Sequence, residues 1–236
     1  MSRVVVISAL KSELAPLVKS WSGESVRAGG KSIACFVREN VVAAAGGMGA
    51  QCSEHTARAL VERYRPELLI SAGLGGALTP ELRVGSIVVP ELVIDAASGA
   101  QFHCEWLAEG QTTTSLVTHA DVADGHAKVA LAHKFRASIV DMEAAGVARV
   151  AREKGIAFCC VKAISDELGF SMPPLGRFVR QGEFHTVAFL RWLTLRPRYW
   201  GSSIALGRNN ARASQALSDW LAHHLISQFQ QAELLH

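Results

Sequence analysis

The stretch Val140–Gly169, VDMEAAGVARVAREKGIAFCCVKAISDELG, decides how this chain folds. Ala144, Val147, Ala148 and Ala151 recur at helical spacing behind Met142, while Arg149, Arg152, Glu153 and Lys154 supply a polar face. Gly155 is the stop for that helix. Ile156 to Ile164 is then β-branched, rich in Cys and Phe and almost uncharged, as a strand buried on both faces must be. Ser165-Asp166 stands where the strand ends, and in open α/β sheets ligands bind outside the carboxyl ends of strands. Glu143 at the helix start and Asp166 at the strand end are thus candidates for one pocket. Plainer roles stay open on spacing alone. An acid at a helix start is commonly a dipole partner or cap, and an Asp after a strand commonly forms a turn.

Toward the N-terminus the same alternation repeats. Arg3 to Leu10 reads as a buried strand, followed by Glu13 at the start of a helical pattern through Leu14, Leu17 and Val18. Two short strands at 32–38 and 40–45 lead to Gly46-Gly47-Met48-Gly49 and a helix over about 50–64. The strand LLISA then runs into Gly73-Leu74-Gly75-Gly76. Glycines between strand and helix let backbone N–H groups approach an anion or ligand, although neither cluster matches GxGxxG or a phosphate-binding loop with its Lys-Ser/Thr. Two such exits suggest backbone bordering a small molecule at Gly47, Gly73 and Gly75. Residues 97–114 read as surface loop or lid, with Phe102, His103 and Trp106 candidates to face a ligand. A helix is expected over 124–135, with Lys128, His133 and Lys134 exposed.

Past Asp166 the character changes. Phe170-Ser171-Met172-Pro173-Pro174 breaks regular structure, and two helical patterns follow, about 184–195 and 207–230. Arg191, Arg196, Arg198, Arg208 and Arg212 stand there beside Trp192, Tyr199, Trp200 and Trp220. Such a tail suits a helical cap over the sheet, or an oligomer or membrane-surface contact.

Composition narrows the class. At 236 residues, 49% apolar and 19% charged, the chain buries a sizeable core, and disorder is not expected. A formal charge of +3 gives no reason to expect nucleic acid. The apolar part of MSRVVVISAL is short for a signal peptide, and no uncharged apolar run approaches the ~20 residues of a membrane span. Five cysteines without CxxC argue against zinc or a disulfide framework, so reduced thiols of a cytoplasmic protein are expected. No metal and no organic cofactor is expected.

Four blocks together resemble the nucleoside phosphorylase superfamily, in particular its methylthioadenosine/S-adenosylhomocysteine nucleosidases: ISALKSEL (7–14), GGMGA (46–50), LLISAGLGGALTPELRVGSIVV (68–89) and IVDMEAAGVARVAREKGIAFCCVKAISD (139–166). The resemblance implies an α/β fold, a central mixed β-sheet flanked by helices, over residues 1–181, with a helical C-terminal extension over 182–236. It also implies a homodimer or larger homo-oligomer. It assigns Glu13 to the attacking water, Met142 and Glu143 to the ribose, and Asp166, with Ser165 beside it, to protonation of purine N7. The chemistry is coherent, since cleaving a C–N glycosidic bond builds positive charge on the sugar and negative charge on the base. Asp166 then needs a proton near neutral pH, from burial or a neighbouring carboxylate.

Hydrolysis is favoured over phosphorolysis. Ser71 stands where the family's phosphorylases have an arginine and Leu74 where they have a serine, and a phosphate dianion without arginine forks is poorly held. Lys11 and Arg38 remain available to a phosphate, so a purine nucleoside phosphorylase is the alternative. A catalytically idle nucleoside-binding protein is another. Leu74 and the lack of a clear adenine-stacking aromatic in HADVADGH depart from the nucleosidase pattern. The segments MPPLGRF and LRWLTLRPRYWGSSIALGRNNARAS resemble the hopanoid-associated phosphorylase-like proteins, a branch linked to removal of adenine from adenosylhopane. The expected activity is therefore adenine release from a 5′-modified adenosine, with peripheral membrane contact through the tail.

Overall fold

The computed structural model describes residues 3–105, 112–180 and 182–226. The chain opens with β1 (Val4–Ser8), the single turn α1 (Lys11–Leu14), β2 (Ser22–Ala28), β3 (Lys31–Arg38), β4 (Val41–Ala45) and α2 (Ala50–Tyr64). It continues through β5 (Leu68–Ala77), β6 (Ile87–Val88), β7 (Pro90–Asp95), β8 (Gln101–His103) and β9 (Thr112–Thr118). Then come α3 (Gly125–Phe135), β10 (Ile139–Asp141), α4 (Ala144–Lys154) and β11 (Ala157–Asp166). A small hairpin of β12 (Val179–Arg180) and β13 (Glu183–Phe184) precedes α5 (Thr186–Thr194) and α6 (Trp200–Leu221).

The mixed sheet runs β2-β3-β4-β1-β5-β10-β9-β7-β8, with β11 along β5 and β6 along β11. The long β5 joins its two halves. Its first residues pair in parallel with β1, and Gly76 and Ala77 pair antiparallel with β10. On its other side β11 follows it in parallel until a register slip between Ile164 and Asp166. Such a bulge re-aims the side chains beyond it.

Period-two alternation sends successive residues of the central strands to opposite faces. Val5, Ile7, Leu69 and Cys160 pack with Leu60 of α2 and Val147 of α4. Val4, Val6, Ile70 and Cys159 pack with Leu14 of α1 and with Leu217 and Leu221 of α6. The adjacent thiols Cys159 and Cys160 thus belong to different cores, and all five cysteines are free thiols. Gly155 ends α4 in the left-handed conformation, its N–H donating to Ala151 and Arg152 carbonyls. Where α4 crosses α2, a Cβ on Gly146 would overlap the Ala50 carbonyl oxygen and the Ser53 hydroxyl.

Three readings change. The second C-terminal helix starts at Trp200, not near 207, because burial of Leu206, Ala213 and Leu217 outweighs the weak helix propensity of Gly201 and Gly207. Strands β8 and β9 take up part of the expected loop at 97–114. Phe102 there is a core residue beneath the Arg152 guanidinium, 4.5 Å from its ring centroid, so it does not face a ligand. His103 is exposed, and Trp106 lies outside the described residues. Among the described residues no helix is long and apolar enough to cross a membrane.

Gly146→Ala is expected to lower stability by about 1–3 kcal/mol through overpacking at the α2–α4 crossing. Urea unfolding followed by far-UV circular dichroism measures it.

Candidate active site

The turn of α1 directly after β1 places Glu13 at the carboxyl end of that central strand, buried. The Ser8 hydroxyl donates to Glu13 Oε2, and the Leu10 N–H approaches the same oxygen at 3.4 Å. Burial pushes this carboxyl above 4.5, against the opposing pull of the Ser8 hydroxyl and the Lys162 ammonium. Gly73 makes the room. A Cβ there would stand 3.1 Å from Glu13 Oε2 and 3.5 Å from Lys162 Nζ.

Lys162 is fully buried in the middle of β11. A buried ammonium needs partners, and it has Asp141 Oδ2 at 2.8 Å and the Ser71 hydroxyl at 3.4 Å. Burial opposes its charge, but Asp141, Cys160 and Glu143 outweigh burial and hold it above its ordinary range. Asp141 also receives the Thr118 hydroxyl at 2.7 Å and the Ala144 N–H at 2.8 Å. The acceptor at the start of α4 is therefore Asp141. Glu143 is released from the capping role, and its Oε1 accepts the Gly49 N–H at 2.8 Å. Burial first, and then Asp141, push the Glu143 carboxyl up to about 8. Its position is fixed from α2, whose Ser53 hydroxyl donates to the Glu143 carbonyl at 2.8 Å.

Asp166, just past the β11 bulge, is buried, with Ser165 Oγ donating to its Oδ1 at 2.7 Å. Its Oδ2 meets the ammonium of Lys128, which also donates to the carbonyls of Asp166 at 3.3 Å and Glu167 at 2.8 Å. One expectation is corrected here: Lys128 is not exposed; it is 1% accessible. Of the two expected surroundings for Asp166, burial is what the structure has, and the charged group beside it is an ammonium.

Glu13, Met142, Glu143, Ser165, Asp166 and Gly75 all line one cavity of about 740 Å³, together with Lys128 and Asp141. The size falls within the range of small-molecule sites. Gly73 packs against Glu13 and is not part of the cavity wall. Gly47 lines an adjoining hollow of about 980 Å³ with Lys11 and Lys31. The backbone donors of the first glycine cluster are already committed. Gly46 N–H donates to Ser8, Gly47 to Ala9 and Met48 to Gly182, at 2.8–2.9 Å, while Gly49 serves Glu143. No cluster of His, Cys, Asp and Glu suited to a metal ion occurs among the described residues.

The sequence reading missed Ser8, Lys128, Asp141 and Lys162, and two of these left a signal. Lys162 is the one charge in the apolar run 156–164, which demands a buried partner. Lys128 shares its helical face with Leu131, Ala132 and Phe135, the apolar side.

A family model described as Phosphorylase superfamily matches residues 3–106 and 107–175. A 5′-methylthioadenosine/S-adenosylhomocysteine nucleosidase from Bacillus cytotoxicus is 25% identical over 225 residues, covering 80% of this chain and 96% of that protein. The S-adenosylhomocysteine nucleosidase of Streptococcus pyogenes in complex with 5-methylthiotubericidin superposes with a TM-score of 0.68 at 18% identity, covering 93% of this chain and 94% of that one. The native futalosine hydrolase of Helicobacter pylori superposes with a TM-score of 0.69 at 14% identity, over 96% and 98% of the two chains. These structural likenesses show a common fold.

The raised carboxyl of Glu143 sets a sign for stability. An unfolded glutamate ionises near 4.5 while the folded one keeps its proton to about 8, so the folded state binds the extra proton in between and loses stability as pH rises through that window. Glu143→Gln is expected to flatten this decline; thermal melts between pH 5 and 9 read it out.

Proposed function

Since the chain belongs to the phosphorylase superfamily, we propose that it is a nucleosidase that hydrolyses the N-glycosidic bond of a 5′-modified adenine nucleoside. The observation that carries this reading is the meeting of Glu13, Glu143 and Asp166, from three separate strand exits, on one nucleoside-sized cavity. The nucleosidase names of the Bacillus and Streptococcus relatives supply the substrate class.

Each acid then has a task. Glu13 takes a proton from the attacking water; its raised carboxyl lies closer to neutrality, where a general base works best. Met142 and Glu143 hold the ribose. With its carboxyl near 8, Glu143 has both a donor and an acceptor for sugar hydroxyls at neutral pH. Asp166 faces the base, where negative charge builds as the bond breaks. Water as nucleophile is supported by the committed amides of Gly46–Gly49 and the apolar Leu74, which leave a phosphate few donors.

The C-terminal region favours an apolar 5′ substituent. Met172, Leu175, Phe184, Phe189 and Leu206 border the same cavity. On the outside of α5 and α6, Val187, Leu190, Leu195, Trp200 and Ile204 are exposed, and residues 184–218 hold five arginines and no acid. Exposed apolar side chains among unopposed arginines suit the surface of an anionic bilayer. We infer that this hairpin makes peripheral membrane contact and that the 5′ group is of lipid character, as the resemblance of the tail implies.

Adenine release from methylthioadenosine, adenosylhomocysteine, adenosine and inosine, each with and without phosphate, tests the reaction. Adenine without phosphate dependence is expected from the 5′-modified adenosines, and Glu13→Gln is expected to cut kcat by about 10²-fold or more. Phosphate-dependent release would overturn hydrolysis. Co-sedimentation with phosphatidylglycerol vesicles tests the membrane contact. Binding weakened by Leu195→Ser with Trp200→Ser supports it; equal recovery with phosphatidylcholine vesicles, or none with either, sinks it. Point substitutions are the right tool, because removing α6 would uncover β11.

A further inference from the structure

We propose that the acid of the base site is the Lys128–Asp166 pair and not Asp166 alone: Lys128 fixes the Asp166 carboxylate and supplies, through it, the proton that reaches the purine. This rests on the nucleosidase reading above. Lys128 is buried on the cavity wall, and the three protons of its ammonium have three acceptors: Asp166 Oδ2, the Asp166 carbonyl at 3.3 Å and the Glu167 carbonyl at 2.8 Å. None is left to reach a base directly, so Lys128 acts through Asp166 as a positioning residue. The contact is built for closeness. A Cβ on Gly76 would lie 3.1 Å from Asp166 Oδ2 and 3.1 Å from Lys128 Cε. The other carboxylate oxygen is held by Ser165 at 2.7 Å.

A carboxylate paired with an ammonium only accepts hydrogen bonds, whereas protonation of a leaving purine requires a donor. The proton shared between Lys128 and Asp166 resolves this. As the C1′–N9 bond breaks, its electron pair passes into the purine and N7 becomes basic. A proton moves from Lys128 Nζ to Asp166, and from Asp166 to N7. Lys128 is left as a neutral amine, Asp166 as a carboxylate and adenine as a neutral base. The water oxygen bonds to C1′ and its proton goes to Glu13. Solvent then takes the proton from Glu13 and returns one to Lys128. A buried ion pair contributes little to stability in general, and on a cavity wall a proton-supplying role accounts for it.

The test uses the full chain with Lys128→Arg and Lys128→Met. Two substrates are compared: the 5′-modified adenosine that the wild type cleaves, and its N7-methylated form, whose leaving base needs no proton. Arginine holds the carboxylate but does not release its proton. Lys128→Arg is therefore expected to lose kcat on the parent nucleoside by about 10²-fold more than on the methylated one, with KM little changed. Lys128→Met removes both the proton source and the hold on the carboxylate, so it is likewise expected to lose more kcat on the parent nucleoside than on the methylated one. Turnover of the methylated nucleoside shows that each variant is folded. Full rescue of the parent reaction by arginine, or equal losses on both substrates, overturns the proposal while leaving the nucleosidase reading intact. A wild-type protein that cleaves neither nucleoside overturns both.

Discussion

The site depends on side chains that β5 does not have. Where the strand passes Gly73 and Gly76, the volume a Cβ would fill is taken by Glu13 and Lys162 on one side and by Asp166 and Lys128 on the other. Glu13, Asp141, Glu143, Asp166 and the Lys128 ammonium consequently border one hollow, with the Lys162 ammonium behind Asp141. The ammonium groups are divided between Asp141 and Asp166. Glu13 and Glu143 make no ion pair among the described residues, and burial moves both carboxyls upward against the pull of Lys162. One backbone strip thus sorts the acids into paired and unpaired.

The Lys162–Asp141 pair binds the two halves of the sheet at the level of the cavity. Lys162 belongs to β11, and Asp141 closes β10 while receiving the first amide of α4. Desolvation makes such a pair a poor source of net stability. What it supplies is geometry: with Asp141 satisfying the helix start, Glu143 turns to Gly49 and presents its carboxyl to the cavity.

Much of this was legible in the chain itself. The 3.6-residue period of 144–154, the glycine stop and the apolar run after it located α4 and β11, because both signals are local. Glu13, Glu143 and Asp166 stood out as acids at strand exits. The direction in which a lysine points across a helix is also local, yet a charge on an apolar face is usually at its rim, so the pattern around Lys128 reads as solvated. The partners of the Gly46–Gly49 amides were not legible at all. They lie at residues 8, 9, 182 and 143, and separations of that size are set by the finished fold. The long α6 was misjudged for the same reason, its glycines being carried by contacts with β11.

One of those amides joins parts of the molecule that otherwise have little in common. Met48 N–H is tied to the Gly182 carbonyl, and Gly182 is so closely seated that a Cβ would strike the Cys52 sulfur. Lys31 and Glu183 fasten the next residue at 2.7 Å. Gly49, one residue past Met48, holds Glu143. The arginine-bearing helices follow within a few residues of the same seam, so their attachment to the sheet and the amide that holds Glu143 are neighbours along one glycine loop.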